Sequence, residues 1–277
     1  MREGISAYPG AKSYLSAWMA ECMPYKGITL SIENFGGMAN NTIHKPPHKI
    51  EVYNDIDSNL THLMSCLNNT ADRKELFNCI LSFPYSEEWF KHCRKMTQDG
   101  YCNSKVDRIT YAAYVWYVLL ASKNGGQFTF NGIKNGGEEE AFKNKIIKKY
   151  PVLQRLEGVQ VWNEDAIKVL EYMKKVTIPS FVFCDSPYYK NHAGYKYNMQ
   201  SGFDHERYCM AFKDMPHRFM ICGTDNELYE DILIKKLHLN KYLMADVANS
   251  MGYTKAGMPK PRMEEMIWTN YRIEDLR

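Results

Sequence analysis

Apolar runs of strand length alternate with helix-periodic segments at both ends of this chain, and a long stretch of purely helical texture lies between them. The largely apolar runs at 28–32, 50–53, 159–162, 181–184 and 219–222 are too short for helices and suit strands buried on both faces. Helical spacing over 12–23 aligns Tyr14, Leu15, Trp18, Met19 and Cys22, and further helices are predicted at 166–174, 206–212 and 227–236. The alternation predicts an α/β fold with a mostly parallel sheet covered on both faces, closed by strands near 241–247 and 264–271 as an antiparallel edge. A Gly-containing loop is expected over 33–39, and the segment between the first two strands is short for a helical crossover. Ser58 is placed to cap a helix starting near Asn59.

From 59 to 154 helices are expected near 59–67, 72–82, 86–97, 106–121 and 138–149, with no strand series among them. Asn124-Gly125-Gly126 and Asn135-Gly136-Gly137 bracket Phe128-Thr129-Phe130, a loop or hairpin with an aromatic tip. The expected organisation is one α/β domain over 1–58 and 155–277, interrupted by a helical insert at 59–154.

A chain of 277 residues is long enough for such a domain with an insert, and 45% apolar with 24% charged residues excludes wholesale disorder. No apolar run approaches the ~18–20 residues of a membrane span, and residues 1–25 lack a secretory leader pattern, so the expected location is cytoplasmic. The eight cysteines form no C-x-x-C or close Cys/His pattern, so neither a metal site nor a disulfide framework is expected. A formal charge of +3 permits an anionic partner without demanding one.

Open α/β sheets bind ligands beyond the carboxyl ends of their strands. Three such loops stand out: Glu33-Asn34-Phe35-Gly36-Gly37, Asn54-Asp55 and Asp185-Ser186-Pro187-Tyr188-Tyr189. An acid past the second strand suits a ribose hydroxyl pair, and glycines past the first let backbone approach a ligand closely. Taken singly, each has a plainer explanation as a turn or a helix cap.

Taken in order along the chain, these segments resemble the DNA adenine-N6 methyltransferase family in its phage and bacterial form. Tyr8-Pro9-Gly10-Ala11-Lys12 resembles the element that contacts the methionine part of S-adenosyl-L-methionine. Glu33-Asn34-Phe35-Gly36-Gly37-Met38 resembles the Glu/Asp-Pro-Phe-Gly-Gly loop, and Asp55 falls on the ribose-binding acid. Asp185-Ser186-Pro187-Tyr188 resembles the catalytic Asp-Pro-Pro-Tyr, and segments 222–228 and 267–271 also match. The resemblance covers 8–60 and 155–271, and the insert only loosely. Ser186 and Asn34 stand where the family usually has proline, and Ala39 where it has glycine.

The resemblance implies a Rossmann-like class I methyltransferase acting on double-stranded DNA in a bacterial or phage-infected cell, without a metal, as a monomer or weak dimer. It could be paired with a restriction nuclease or be an orphan. S-adenosyl-L-methionine contacts are implied for Tyr8, Pro9, Gly10, Lys12, Glu33, Asn34, Phe35, Gly36, Gly37 and Asp55. For Asp165 a contact to the cofactor's adenine stands beside a helix N-terminal carboxylate. Base flipping would bring adenine to Asp185 and the Ser186 carbonyl, which accept the N6 hydrogens, with Pro187 shaping the turn and Tyr188 stacking on the ring.

Tyr189, Lys190, Tyr195, Lys196 and Tyr197 interleave aromatic and basic residues, as a DNA-tracking lid would. The insert's Lys134, Lys143, Lys145, Lys148, Lys149 and Arg155 read equally as a phosphate grip or a solvated face. The family organisation implies target recognition in the insert, and Lys255, Lys260 and Arg262 form a third basic patch. Two alternatives stay open: transfer to another exocyclic or amide nitrogen, such as cytosine N4 or RNA adenine, and a DNA-binding protein that has lost transfer.

Overall fold

The computed structural model describes residues 4–8, 15–132, 136–189, 202–248 and 262–276. Strands β1 (Leu30–Asn34), β2 (Ile50–Asn54), β3 (Gln160–Trp162), β4 (Ser180–Asp185), β5 (Arg218–Thr224), β6 (Asn240–Ala248) and β7 (Arg262–Thr269) form a seven-stranded sheet in the order β3-β2-β1-β4-β5-β7-β6. The β1/β4, β2/β3 and β4/β5 pairs are parallel, while β7 runs antiparallel to β5 and β6. The reversed strand therefore stands one place in from the edge. Strand β1 is displaced from the expected 28–32, so Glu33 and Asn34 are strand residues rather than loop.

One compact unit comprises Met1–Ala20 and Gly36–Glu164. It contains β2, β3, α1 (Ser16–Glu21), the short α2 (Asn40–His44), α3 (Ser58–Leu67), α4 (Thr70–Leu81), α5 (Glu87–Met96), α6 (Arg108–Ala121), α7 (Glu138–Ile147) and α8 (Tyr150–Leu153). Helix α6 is apolar all round and buried from Tyr111 to Ala121, so α3, α4 and α5 pack around it as a central post. Tyr53 of β2 and Val159 belong to one core with the helices of this unit.

Caps set the helix starts. Asp57, Asn69, Ser86 and Asp107 each accept backbone N–H groups of the following turn. Asp57 rather than Ser58 caps α3, because its side chain reaches the Asn59 N–H while Ser58 is already helical. Helix α2 was not expected; it is preceded by Ala39 at the N-cap, whose φ of 51° is left-handed. Ser122 bridges Phe130 across the expected aromatic loop, where Phe128 is exposed beside Arg94.

The two ends of the helical segment are clasped. The Asn68 amide donates to the Val159 carbonyl at 2.7 Å, and Thr70 donates to Glu157 at 2.7 Å. The buried Arg73 guanidinium donates to the carbonyls of Leu67 and Leu153 and pairs with Glu157 at 2.8 Å.

The other compact unit comprises Glu21–Phe35 and Asp165–Arg277. It holds β1, β4, β5, β6 and β7 with α9 (Ala166–Met173), α10 (His205–Met210) and α11 (Glu227–Tyr229). The helix expected over 227–236 turns from α to π after Tyr229, over Glu230–Lys236. No helix among the described residues is long and apolar enough to cross a membrane.

Candidate active site

In the first unit, the loop after β2 is built around Asp55. Its Oδ2 accepts the Gly37 N–H and its Oδ1 the Asp57 N–H, both at 2.8 Å, and Asn163 donates to the carbonyls of Asp55 and Ile56. Burial outweighs these donors and pushes the carboxyl up to about 6. Asn54 locks the neighbouring turn through reciprocal bonds to Glu164.

The glycines are explained by Tyr53. A Cβ on Gly36 would lie 2.2 Å from the Tyr53 ring, and the Tyr53 hydroxyl donates to the Gly37 carbonyl at 2.8 Å. Gly37 has a φ of +50°, which favours glycine, and Tyr8 lies against it. The structure thus gathers Tyr8, Gly36, Gly37 and Asp55, with Tyr53 as their unforeseen organiser.

In the second unit, Asn34 at the end of β1 pairs in register with Cys184 of β4, so two carboxyl-terminal strand ends adjoin where the strand order turns. Glu33 and Asn34 are buried, and the Asn34 amide donates to the Ala166 carbonyl at 3.1 Å, fastening β1 to the start of α9. Phe35 follows with a φ of 67°, a left-handed conformation costing roughly 1–2 kcal/mol. Its ring meets Phe203 and Tyr208 edge-on at 5.5 Å. Asp165 caps α9, its Oδ1 accepting from Ile167 and Lys168 at 3.0 Å.

Asp185 ends β4 half-buried, and buried Ser186 begins the turn with Pro187. The Ser186 hydroxyl lies 3.3 Å from the Tyr229 hydroxyl, which lies 3.0 Å from His205 Nδ1. Tyr188 is 7% exposed, and its phenol donates to Glu265 at 2.5 Å. Tyr189 meets His205 edge-on. Burial pushes the Cys184 and Cys209 thiols up to about 12, so they pack as neutral groups and supply no thiolate.

Glu265, Tyr229 and His205 were not singled out from sequence. A signal existed for Glu265, an acid interrupting an apolar strand at Met266-Ile267-Trp268; Tyr229 and His205 sit on helices and carry none. Pro9, Gly10, Lys12, Lys190, Tyr195, Lys196 and Tyr197 lie outside the described residues, as do Lys134, Lys255 and Lys260. Among the described residues no group of three or more His, Cys, Asp or Glu could hold a metal ion.

The strand order with β7 reversed, together with the acid ending β4, defines a class I methyltransferase fold. The family model of D12 class N6 adenine-specific DNA methyltransferases matches residues 8–245, most of the chain, and the protein belongs to that family. It is an adenine-specific DNA methyltransferase. No curated protein matches the chain.

Proposed function

We propose that the protein takes the methyl group from S-adenosyl-L-methionine and delivers it to N6 of an adenine extruded from double-stranded DNA. The observation that carries this reading is the β4 terminus, where the Asp185 carboxylate and the Ser186 backbone stand side by side at a strand end. Adenine N6 is a poor nucleophile because its lone pair is delocalised into the ring. Acceptors at Asp185 and the Ser186 carbonyl draw the two N6 hydrogens into hydrogen bonds and localise that pair. N6 would bond the methyl carbon as the carbon–sulfur bond breaks, leaving a neutral thioether, and would release one proton to solvent; positioning with fixed acceptors supplies the catalysis.

S-adenosyl-L-methionine supplies an electrophilic methyl on a sulfonium. In the first unit, Asp55 suits its ribose: both carboxylate oxygens are anchored by backbone N–H groups, which fixes the carboxylate for a hydroxyl donor. Tyr8, Gly36 and Gly37 line the same loop. In the second unit, Glu33, Asn34 and Phe35 shape the end of β1, and Asp165 acts first as a cap. Pro9, Gly10 and Lys12 complete the cofactor assignment.

Extruding a base costs a few kcal/mol, and stacking against Tyr188 offsets part of it. With Tyr188 7% exposed, its cover must open for that stacking. Tyr189, Lys190, Tyr195, Lys196 and Tyr197 contact DNA, and the helical segment 59–154 reads the target sequence within a two-part organisation of 1–58 with 155–277. The protein acts in the cytoplasm.

The test is labelled-methyl transfer from S-adenosyl-L-methionine to unmethylated genomic DNA by wild type and Asp185→Ala, with identification of the product nucleoside. N6-methyladenine from wild type alone is expected. Transfer by both proteins removes Asp185 from the mechanism.

A further inference from the structure

Two buried polar residues of the second unit, Tyr229 and His205, have no part in the reading above, and the Ser186 hydroxyl has none either. Tyr229 is 1% exposed and closes α11 at the point where the helix widens into the π-turns of Glu230–Lys236, a rare geometry concentrated at functional positions. Its hydroxyl is flanked by Ser186 Oγ at 3.3 Å and His205 Nδ1 at 3.0 Å. His205 is in turn boxed by the rings of Phe203 at 4.8 Å and Tyr189 at 5.3 Å. One chain of contacts thus grips both flanks of Pro187-Tyr188, at Ser186 before and at Tyr189 after.

Burial raises the Tyr229 phenol far above its ordinary range, so it stays protonated and serves as donor and acceptor at once. The Cys209 thiol also meets the Tyr229 hydroxyl and the Tyr208 hydroxyl also meets Ser186, and two proton arrangements keep Tyr229 bonded to both Ser186 and His205. With Nδ1 bare, Tyr229 donates to it and accepts from Ser186. With Nδ1 protonated, His205 donates to Tyr229, which donates to Ser186. Ser186 stays tied in either case.

We propose that Tyr229, buttressed by His205, is a positioning residue for methyl transfer: through the Ser186 hydroxyl it fixes the segment that presents the Asp185 carboxylate and the Ser186 carbonyl. This rests on the assignment of those two acceptors to the N6 hydrogens. Neither side chain touches the base; they hold its acceptors at the angle the reaction needs. Because a small misplacement is costly in rate, a loosened segment lowers kcat and leaves substrate binding nearly unchanged.

The test compares steady-state methyl transfer by wild type, Y229F, S186A, Y229F/S186A, S186P and S186P/Y229F. Y229F and S186A are each expected to lower kcat about tenfold, what losing one hydrogen bond of ordinary net strength gives, with both KM values within about twofold. The Y229F/S186A chain should be no slower than either single variant. A proline at this position fixes φ covalently, so Y229F should cost less than about twofold in the S186P background.

Y229F as fast as wild type overturns the proposal, as do costs of Y229F and S186A that multiply. Should Y229F not fold, S186P and S186A decide: a kcat for S186P at least about fivefold above S186A supports the tie, and equal values overturn it. An inactive wild type overturns the functional reading and this inference together. An active wild type with an indifferent Y229F overturns this inference alone.

Discussion

The phenol of Tyr188 donates to the carboxylate of Glu265 at 2.5 Å, tying the turn after β4 to the reversed strand β7. Glu265 is 3% exposed, so removing it takes a carboxylate acceptor away from the buried Tyr188 hydroxyl. Glu265→Ala is expected to lower the unfolding free energy by about 1–3 kcal/mol, and Glu265→Gln, which keeps an acceptor oxygen, by less. Urea unfolding of the two variants measures the difference, and equal losses would show that the bond is not what matters.

Asp185 is assigned to the acceptor base rather than to the methyl donor. Asp185→Ala should therefore lose at least about a hundredfold in transfer rate while S-adenosyl-L-methionine still binds within about twofold. Transfer assays and calorimetric titration on the same preparations separate the two effects.

The Asp55 carboxyl, pushed up to about 6 by burial, gives donor binding a pH dependence. Ribose hydroxyls donate best to the ionised carboxylate, so affinity should strengthen as pH rises through about 6. Folding runs the other way. Between the ordinary value of 3.8 and about 6 the native state binds more protons than the unfolded chain, so the contribution of Asp55 to stability falls as pH rises across that window and is level above it. Asp55→Asn should flatten both trends, and titrations at pH 5 and 7.5 that give one affinity for wild type would remove Asp55 from the ribose site.

Gly36 has no room for a side chain against Tyr53. Gly36→Ala is expected to destabilise the protein by about 1–3 kcal/mol, and adding Tyr53→Ala should make the glycine substitution nearly neutral. Thermal unfolding of the four proteins in the cycle checks it, and additive losses would place the strain elsewhere.

DNA binding through basic side chains releases counterions, so log affinity should fall linearly with log salt, by about 0.9 per phosphate neutralised. A flat response in fluorescence anisotropy would rule out a charged DNA groove.

Much of the sheet was legible because its strands are apolar runs that no exposed or amphipathic element would carry. The α/π switch after Tyr229 was not, since its residues keep an ordinary helical pattern. Asp185 and Asp55 announced themselves as acids following strands. Tyr53 did not: an aromatic residue in a buried strand reads as core, and only its position across Gly36 shows what else it does. The Ser186 contact was invisible for a related reason, because Tyr229 and His205 lie far along the chain and no local spacing links them to it.

The clasp of Asn68, Thr70 and Arg73 on Val159, Glu157 and Leu153 brings entry and exit of the helical segment to one place. A stretch whose ends already meet can be lengthened, trimmed or exchanged as a cassette without dragging apart the strands on either side. β2 and β3 would need only a short bridge across that joint, so a grafted replacement requires compatibility with the clasp residues and with the core it shares with Tyr53 and Val159.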